Sequence, residues 1–249
     1  AHKSLDVRSL CICRETLART TGLADFAFAM QGLGSGAISL FGTSELKAEY
    51  LPKVLTGEAI PAFALTEPDA GSDAGNLSST AVEDGDDYIL NGTKTFISNA
   101  GIADFYCMFV RTSDEGARGL TCFVLDADTP GFELVESLNV IAPHPLGTIR
   151  MTNCRVPKSK MLGKVGEGFK VAMSNLDIFR STVGAASLGF ARRALDEAIA
   201  RTKERHVFGQ PLSGFQFTQG KLADMATEID ASALLIYRAA WTRDASPTG

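Results

Sequence analysis

The stretch Phe63 to Ser98, FALTEPDAGSDAGNLSSTAVEDGDDYILNGTKTFIS, decides how the rest of the chain is read. It opens on an apolar run, Phe63-Ala64-Leu65, that breaks into Thr66-Glu67-Pro68-Asp69-Ala70-Gly71-Ser72-Asp73, so a buried strand is expected to end in a polar loop. Pro68 lacks an N–H and fixes its own φ, while Gly71 is free to take φ > 0. A tight loop presenting its backbone donors is therefore expected, flanked by the hydroxyls of Thr66 and Ser72. At the far end, Asn91-Gly92-Thr93-Lys94-Thr95-Phe96-Ile97-Ser98-Asn99 adds an aromatic ring and a further hydroxyl on a second extended segment. An aromatic wall with donors aimed at its edge suits a flat, electron-poor heterocycle.

Outward from this stretch the hydrophobic period changes on both sides. From Ile60, short β-rich runs follow at 60–65, 78–83, 88–98, 104–111, 120–126 and 148–156, separated by turns such as Asp84-Gly85-Asp86-Asp87 and Asp128-Thr129-Pro130-Gly131. They predict a small antiparallel sheet or barrel. Before it, residues 8–31 are apolar all round and read as a mostly buried helix pair. Ser44 is the expected cap of a helix over 45–55 that Gly57 ends. After it, Phe169, Met173, Leu176, Phe179, Val183, Ala186 and Phe190 fall on one helical face, and a second long helix begins near Phe215. The expected class is α+β, with a helical segment over 1–59, a central β-domain over 60–162 and the first part of a helical bundle over 163–249.

Composition narrows the function. The 249 residues can bury a sizeable core, hydrophobic residues make up 45%, and no apolar run reaches the roughly 18 to 20 residues of a membrane helix. A net charge of −5 with no basic stripe gives neither nucleic acid nor an anionic membrane as partner. Cys11, Cys13, Cys107, Cys122 and Cys154 are odd in number and lack metal-ligand spacing, which fits reduced, mostly buried thiols in an intracellular compartment. The start, AHKSLDVRSL, lacks an initiator Met and an apolar signal region, and the chain reads as a trimmed piece of something longer.

Several familiar chemistries find no footing. Gly32-Leu33-Gly34-Ser35-Gly36-Ala37 satisfies G-x-G-x-x-A but is followed by too short a run before Gly42 for a crossover helix, so its glycines are expected to serve close helix packing. Ser72 has Ala70 two positions before it, not the Gly of G-x-S-x-G, and Ser44-x-x-Lys47 lacks its partner motifs. His2, His144 and His206 are far apart, and Gly163 to Gly168 lacks the G-K-[ST] ending of a phosphate loop. What survives is the Thr66–Ser72 loop together with Phe96-Ile97-Ser98.

At these residues the sequence resembles the flavin-dependent acyl-CoA dehydrogenase family. The pair FALTEPDAGSD and NGTKTFISNAG is specific, and Val165-Gly166-Glu167-Gly168-Phe169, Leu176-Asp177-Ile178-Phe179-Arg180 and Arg205-His206-Val207-Phe208-Gly209 follow in the family's order. The resemblance implies a helical domain, a central β-domain and a C-terminal helical bundle, here incomplete. It implies FAD lined by Phe63, Leu65 and the loop to Ser72, with Thr66 on the isoalloxazine and backbone N–H groups near Gly71 and Ser72 on the pyrophosphate. Phe96 would lie against the ring, flanked by Ile97, and Ser98 would donate near N5; many members carry Trp and Thr where this chain has Phe96 and Ser98.

Ser72, Asp177 and Arg180 would touch the acyl-CoA, and Arg205, Phe208 and Gln216 would reach the FAD of a neighbouring subunit in a homodimer or homotetramer. Electrons would pass to an electron-transfer flavoprotein, in the cytoplasm or, in a eukaryote, the mitochondrial matrix. The catalytic carboxylate stays unassigned: a minority of members place it where this chain has Phe179, and it is expected in a C-terminal segment beyond Gly249.

Each role has a plainer alternative. Arg205 could stabilise a helix end, Asp177 could pair with Arg180, Phe96 could be core, and Thr66 and Ser72 could only cap turns. An unpaired guanidinium at Arg180 on an apolar helix would be costly if buried.

Overall fold

The computed structural model describes residues 6–246; the first five residues, His2 among them, and Pro247 to Gly249 lie outside that range. The helices before the sheet are α1 (Val7–Thr20), α2 (Gly22–Phe41) and α3 (Ser44–Thr56). The glycine cluster Gly32 to Gly36 lies inside α2, as packing rather than as a nucleotide loop. A Cβ at Gly34 would come within 2.7 Å of Pro61, so only glycine lets this turn of helix meet the following strand. The cap of α3 is Thr43, whose hydroxyl accepts from the Leu46 amide at 3.3 Å, and not Ser44, which is already helical. Gly57 ends α3 in the left-handed conformation.

The strands are β1 (Pro61–Ala64), β2 (Thr80–Asp84), β3 (Asp87–Ser98), β4 (Phe105–Arg111), β5 (Leu120–Asp126), β6 (Phe132–Ser137), β7 (Leu146–Pro157) and β8 (Met161–Leu162). They form one sheet in the order β6-β7-β3-β2-β4-β5-β8, with β1 added beside β4. The expected antiparallel domain is thus a mixed sheet: β1 runs parallel to β4 over Pro61–Ala64, and Thr80 pairs with Arg111 in parallel. Strand β6, FELVES, escapes a search for buried runs because it forms an edge with most of its side chains exposed. The sheet is followed by α4 (Gly168–Glu204), a short hairpin of β9 (His206–Val207) and β10 (Gln210–Pro211), and α5 (Gln216–Ala245).

Two compact units result. Residues 29–176 hold the sheet and two buried clusters, one on each side of β4. On one side Phe105, Cys107 and Phe109 meet Ile38, Leu46, Tyr50 and Val171. On the other Tyr106, Met108 and Val110 meet Leu90, Ile97, Ile149 and Phe123. Burial on both faces explains why β4 reads as an unbroken apolar run. The described residues up to Phe28 and from Asp177 onward form the second unit, where Arg14 of α1 holds Asp25 of α2 through two hydrogen bonds of 2.8 Å, both side chains buried. Val183 and Phe190, expected on the buried face of α4, are about half exposed. No helix among the described residues is long and apolar enough to cross a membrane, and no group of His, Cys, Asp and Glu among them is placed to hold a metal.

Candidate functional site

Strand β1 delivers the loop. Phe63 is half-buried against Phe109 with ring centroids 4.8 Å apart, and the Leu65 side chain packs into the core. The chain then doubles back in a four-residue turn, with the Glu67 amide donating to the Ala70 carbonyl at 3.0 Å and the Ala70 amide returning a bond to Glu67 at 3.2 Å. Pro68 and Asp69 occupy the tip, where proline's fixed φ fits. The expected tight turn therefore exists, but at 67–70. Gly71 lies just beyond it and does not adopt positive φ, contrary to the expectation, because the turn is already closed without it. A Cβ at Gly71 would meet no atom within 4 Å. The Gly71 and Ser72 amides make no backbone hydrogen bond among the described residues, and both residues are exposed.

This open segment is fixed on either side by buried charges. Lys94 of β3, with no exposure, donates to the Leu65 carbonyl at 3.1 Å and to Glu67 Oε1 at 2.8 Å. Glu67, 3% exposed, also accepts from the Ser78 amide at 2.6 Å, the Ser78 hydroxyl at 2.7 Å and the Ser79 amide at 3.0 Å. Burial alone would raise the Glu67 pKa, but the Lys94 charge and these donors outweigh it and hold the carboxyl at about 2. Burial pulls the Lys94 ammonium down to about 8 even against the pull of Glu67. Further along, Arg111 of β4 donates to the carbonyls of Leu77, Gly75, Ser113 and Gly116 at 2.9 to 3.1 Å, fastening the return limb.

The second extended segment comes alongside through the Thr95 amide, which donates to the Thr66 carbonyl at 3.0 Å. Here β3 is bulged. Lys94 is paired with Ile149 and Ile97 with Gly147, three steps on β3 against two on β7. Phe96 takes up the extra residue with φ 54°, a conformation costly for a bulky side chain, and stands 64% exposed. The alternative of a core Phe96 is thereby ruled out. Ile97 turns its side chain into the core, and Leu65 is likewise a packing residue. Thr66 and Ser98 are partly exposed, and their hydroxyls bond to no described residue.

The remaining candidates belong to the other unit. Asp177 is engaged by Arg243 at 2.8 Å, not by Arg180. Arg180 is exposed and makes no ion pair with any described residue, so the argument from a buried guanidinium does not apply to it. Arg205 and Gln216 are exposed, and Phe208 is 96% exposed at the tip of the β9–β10 hairpin with φ 51°.

Within the sheet unit these two segments carry an exposed aromatic ring, the Thr66 and Ser98 hydroxyls and the Gly71 and Ser72 amides, none of the four polar groups being hydrogen-bonded to a described residue. This set fits a planar ring carrying an anionic tail. Lys94 and Glu67, which hold this set together, were not singled out by the sequence reading. Their signal was available: in β3 the inward positions are Tyr88, Leu90 and Lys94, so a charge falls on the buried parity.

Comparison with known proteins places the chain in a family. Family models for the N-terminal, middle and C-terminal domains of acyl-CoA dehydrogenase match residues 3–58, 62–154 and 166–248. The chain is 41% identical over 248 residues to the Caffeyl-CoA reductase-Etf complex subunit CarC of Acetobacterium woodii, covering 96% of this chain and 64% of that protein. Butyryl-CoA dehydrogenase from Megasphaera elsdenii superposes with a TM-score of 0.92 at 37% identity, over 96% of this chain and 63% of that one. A structure described as PigA with FAD and proline gives a TM-score of 0.94 at 30% identity, over 98% and 65%. The chain thus spans slightly under two thirds of these relatives' length, and with all three domain models matched in order over a shared fold, it belongs to the acyl-CoA dehydrogenase family.

Proposed function

We propose that the chain binds FAD and serves the oxidation of an acyl-CoA thioester to the trans-2,3-enoyl-CoA, in which the α-proton goes to a base and the β-hydrogen leaves as hydride. The single observation that carries the reading is Phe96, an exposed aromatic held at φ 54° on the segment that the Thr95 amide ties to Thr66. Strain of this kind persists only where surrounding structure imposes it, and here it serves to present a ring rather than bury one. The names of the relatives point the same way, one holding FAD, one a butyryl-CoA dehydrogenase and one a subunit of an Etf complex.

When bound, FAD supplies two-electron acceptance. The work left to the chain is orientation. Phe96 offers the ring a flat contact, Thr66 and Ser98 offer hydroxyls to its polar edge, and the Gly71 and Ser72 amides offer fixed donors to the diphosphate without further reorganisation. Asp177 and Arg180 are assigned to the acyl-CoA; the free Arg180 is suited to a phosphate or carboxylate. Phe179 has no group that accepts a proton, and no base is assigned among the described residues. Arg205, Phe208 and Gln216, all exposed, are assigned to the FAD of a second copy in a homodimer or homotetramer, and an electron-transfer flavoprotein is the acceptor.

The test is purification with added FAD followed by anaerobic titration with a panel of acyl-CoAs. Bound yellow flavin whose spectrum responds to acyl-CoA supports the reading. Oxygen consumption without need of an electron-transfer flavoprotein would assign a flavin oxidase or monooxygenase instead. Failure to retain any flavin would leave a binding protein of the same fold.

A further inference from the structure

We propose that Lys94, acting with Glu67, is a positioning residue that sets the separation of the two halves of the flavin cradle before any ligand arrives. The inference rests on the flavin reading above. Residues 65–79 form a long connection whose backbone closes on itself in two short turns, between Glu67 and Ala70 and from the Asn76 amide to the Asp73 carbonyl. Left to itself, such a segment would sample many positions relative to the sheet. It does not, because one ammonium on β3 grips the Leu65 carbonyl and Glu67, while Glu67 grips the amides of Ser78 and Ser79 at the far end. Entry and exit of the loop are thus tied to one point two residues before Phe96, and Gly71 and Ser72 between them stay open.

Stability alone does not account for such a pair. Replacing a buried ion pair with apolar side chains of similar volume is often neutral or stabilising, so its presence calls for a geometric role. Apolar side chains would fill the space at Lys94 but could not fix the distance from Leu65, Ser78 and Ser79 to the bulge. The Thr95 amide on the Thr66 carbonyl completes the frame. Both halves of the donor set are therefore referred to one buried side chain.

Amide exchange on the full chain, followed with and without added FAD, is the first test. The amides of Ser78, Ser79 and Thr95 should be protected already without FAD, and Gly71 and Ser72 should gain protection only when it is added. Protection of Ser78, Ser79 and Thr95 that arises only with FAD overturns the proposal. Exchange that no FAD alters anywhere sinks the flavin reading instead.

The second test is Glu67→Gln, which keeps the shape and an acceptor but loses the charge. It should fold, bind FAD about tenfold more weakly and shift the visible absorption band of the bound flavin. Asp25→Asn, in the other unit, should lower the melting temperature and leave that band in place. A folded Glu67→Gln protein with unchanged affinity and an unshifted band overturns the proposal, and if that variant does not fold, exchange in the unsubstituted chain decides.

Discussion

Lys94 and Glu67 meet at 2.8 Å in a space that solvent does not enter, one from a strand and the other from the turn that follows β1. Because the Glu67 carboxyl is held at about 2, below its ordinary 4.5, the folded state binds fewer protons than the unfolded state between those values. Its contribution is complete above pH 4.5 and drains away as the pH falls towards 2. The shift corresponds to something on the order of 3 kcal/mol. Urea unfolding measured down this range should show that loss, and Glu67→Gln should remove much of the slope. An identical acid dependence in the variant would show that the carboxyl is not held as described.

Phe96 should separate stability from binding. Glycine carries no penalty at φ 54°, and an exposed ring loses little burial when removed. Phe96→Gly is therefore expected to be more stable than Phe96→Ala by about 1 kcal/mol, the reverse of the usual strand order. Both variants should bind FAD more weakly than the parent. Thermal melts and flavin titration on the same samples check the two signs; an alanine variant as stable as the glycine variant would contradict the strain.

In the second unit Arg14 and Asp25 form a two-pronged pair, and Arg14 also donates to Thr182 at 3.2 Å. Asp25→Ala leaves a buried guanidinium with its charge unmatched and should cost about 3 to 5 kcal/mol. The double variant Arg14→Met with Asp25→Leu should recover most of that loss. Denaturant midpoints of both proteins give the comparison, and a double variant no better than Asp25→Ala would sink it.

At Gly34 two effects of opposite sign compete. Alanine in a helix gains up to about 1 kcal/mol over glycine. Its Cβ, however, would sit 2.7 Å from the Pro61 Cβ and 2.8 Å from the Pro61 carbonyl carbon, and a proline ring has little room to give. Gly34→Ala is expected to destabilise by about 1 to 2 kcal/mol net. A stabilised variant would show that α2 and β1 are free to separate.

Much of this molecule is legible in the order of its residues. Periods of 3.6 and 2 locate the helices and most strands, since both report which side of an element meets a core. The two-residue strands β8, β9 and β10 are too short to show a period, and β6 escapes for a different reason: Glu133, Glu136 and Ser137 line an exposed edge and give no buried run to find. Arg180 illustrates a second limit. Its neighbours Ile178 and Phe179 are buried, but a helix turns about 100° per residue, and the next position faces water. Asp177 meets Arg243 instead, 66 positions away, a pairing that no local spacing anticipates.

From its sequence alone this protein declares its family, its helix–sheet–helix order and the two segments that carry hydroxyls and an aromatic ring, because these depend on local period and on motifs of adjacent residues. Only the tertiary structure decided which way those residues point. Strict alternation would have sent Phe96 inward with Tyr88, Leu90 and Lys94; one extra residue, counted against β7, turns it out to solvent and leaves Lys94 to hold the loop from within. A register is a property of two strands, and neither strand's sequence contains it.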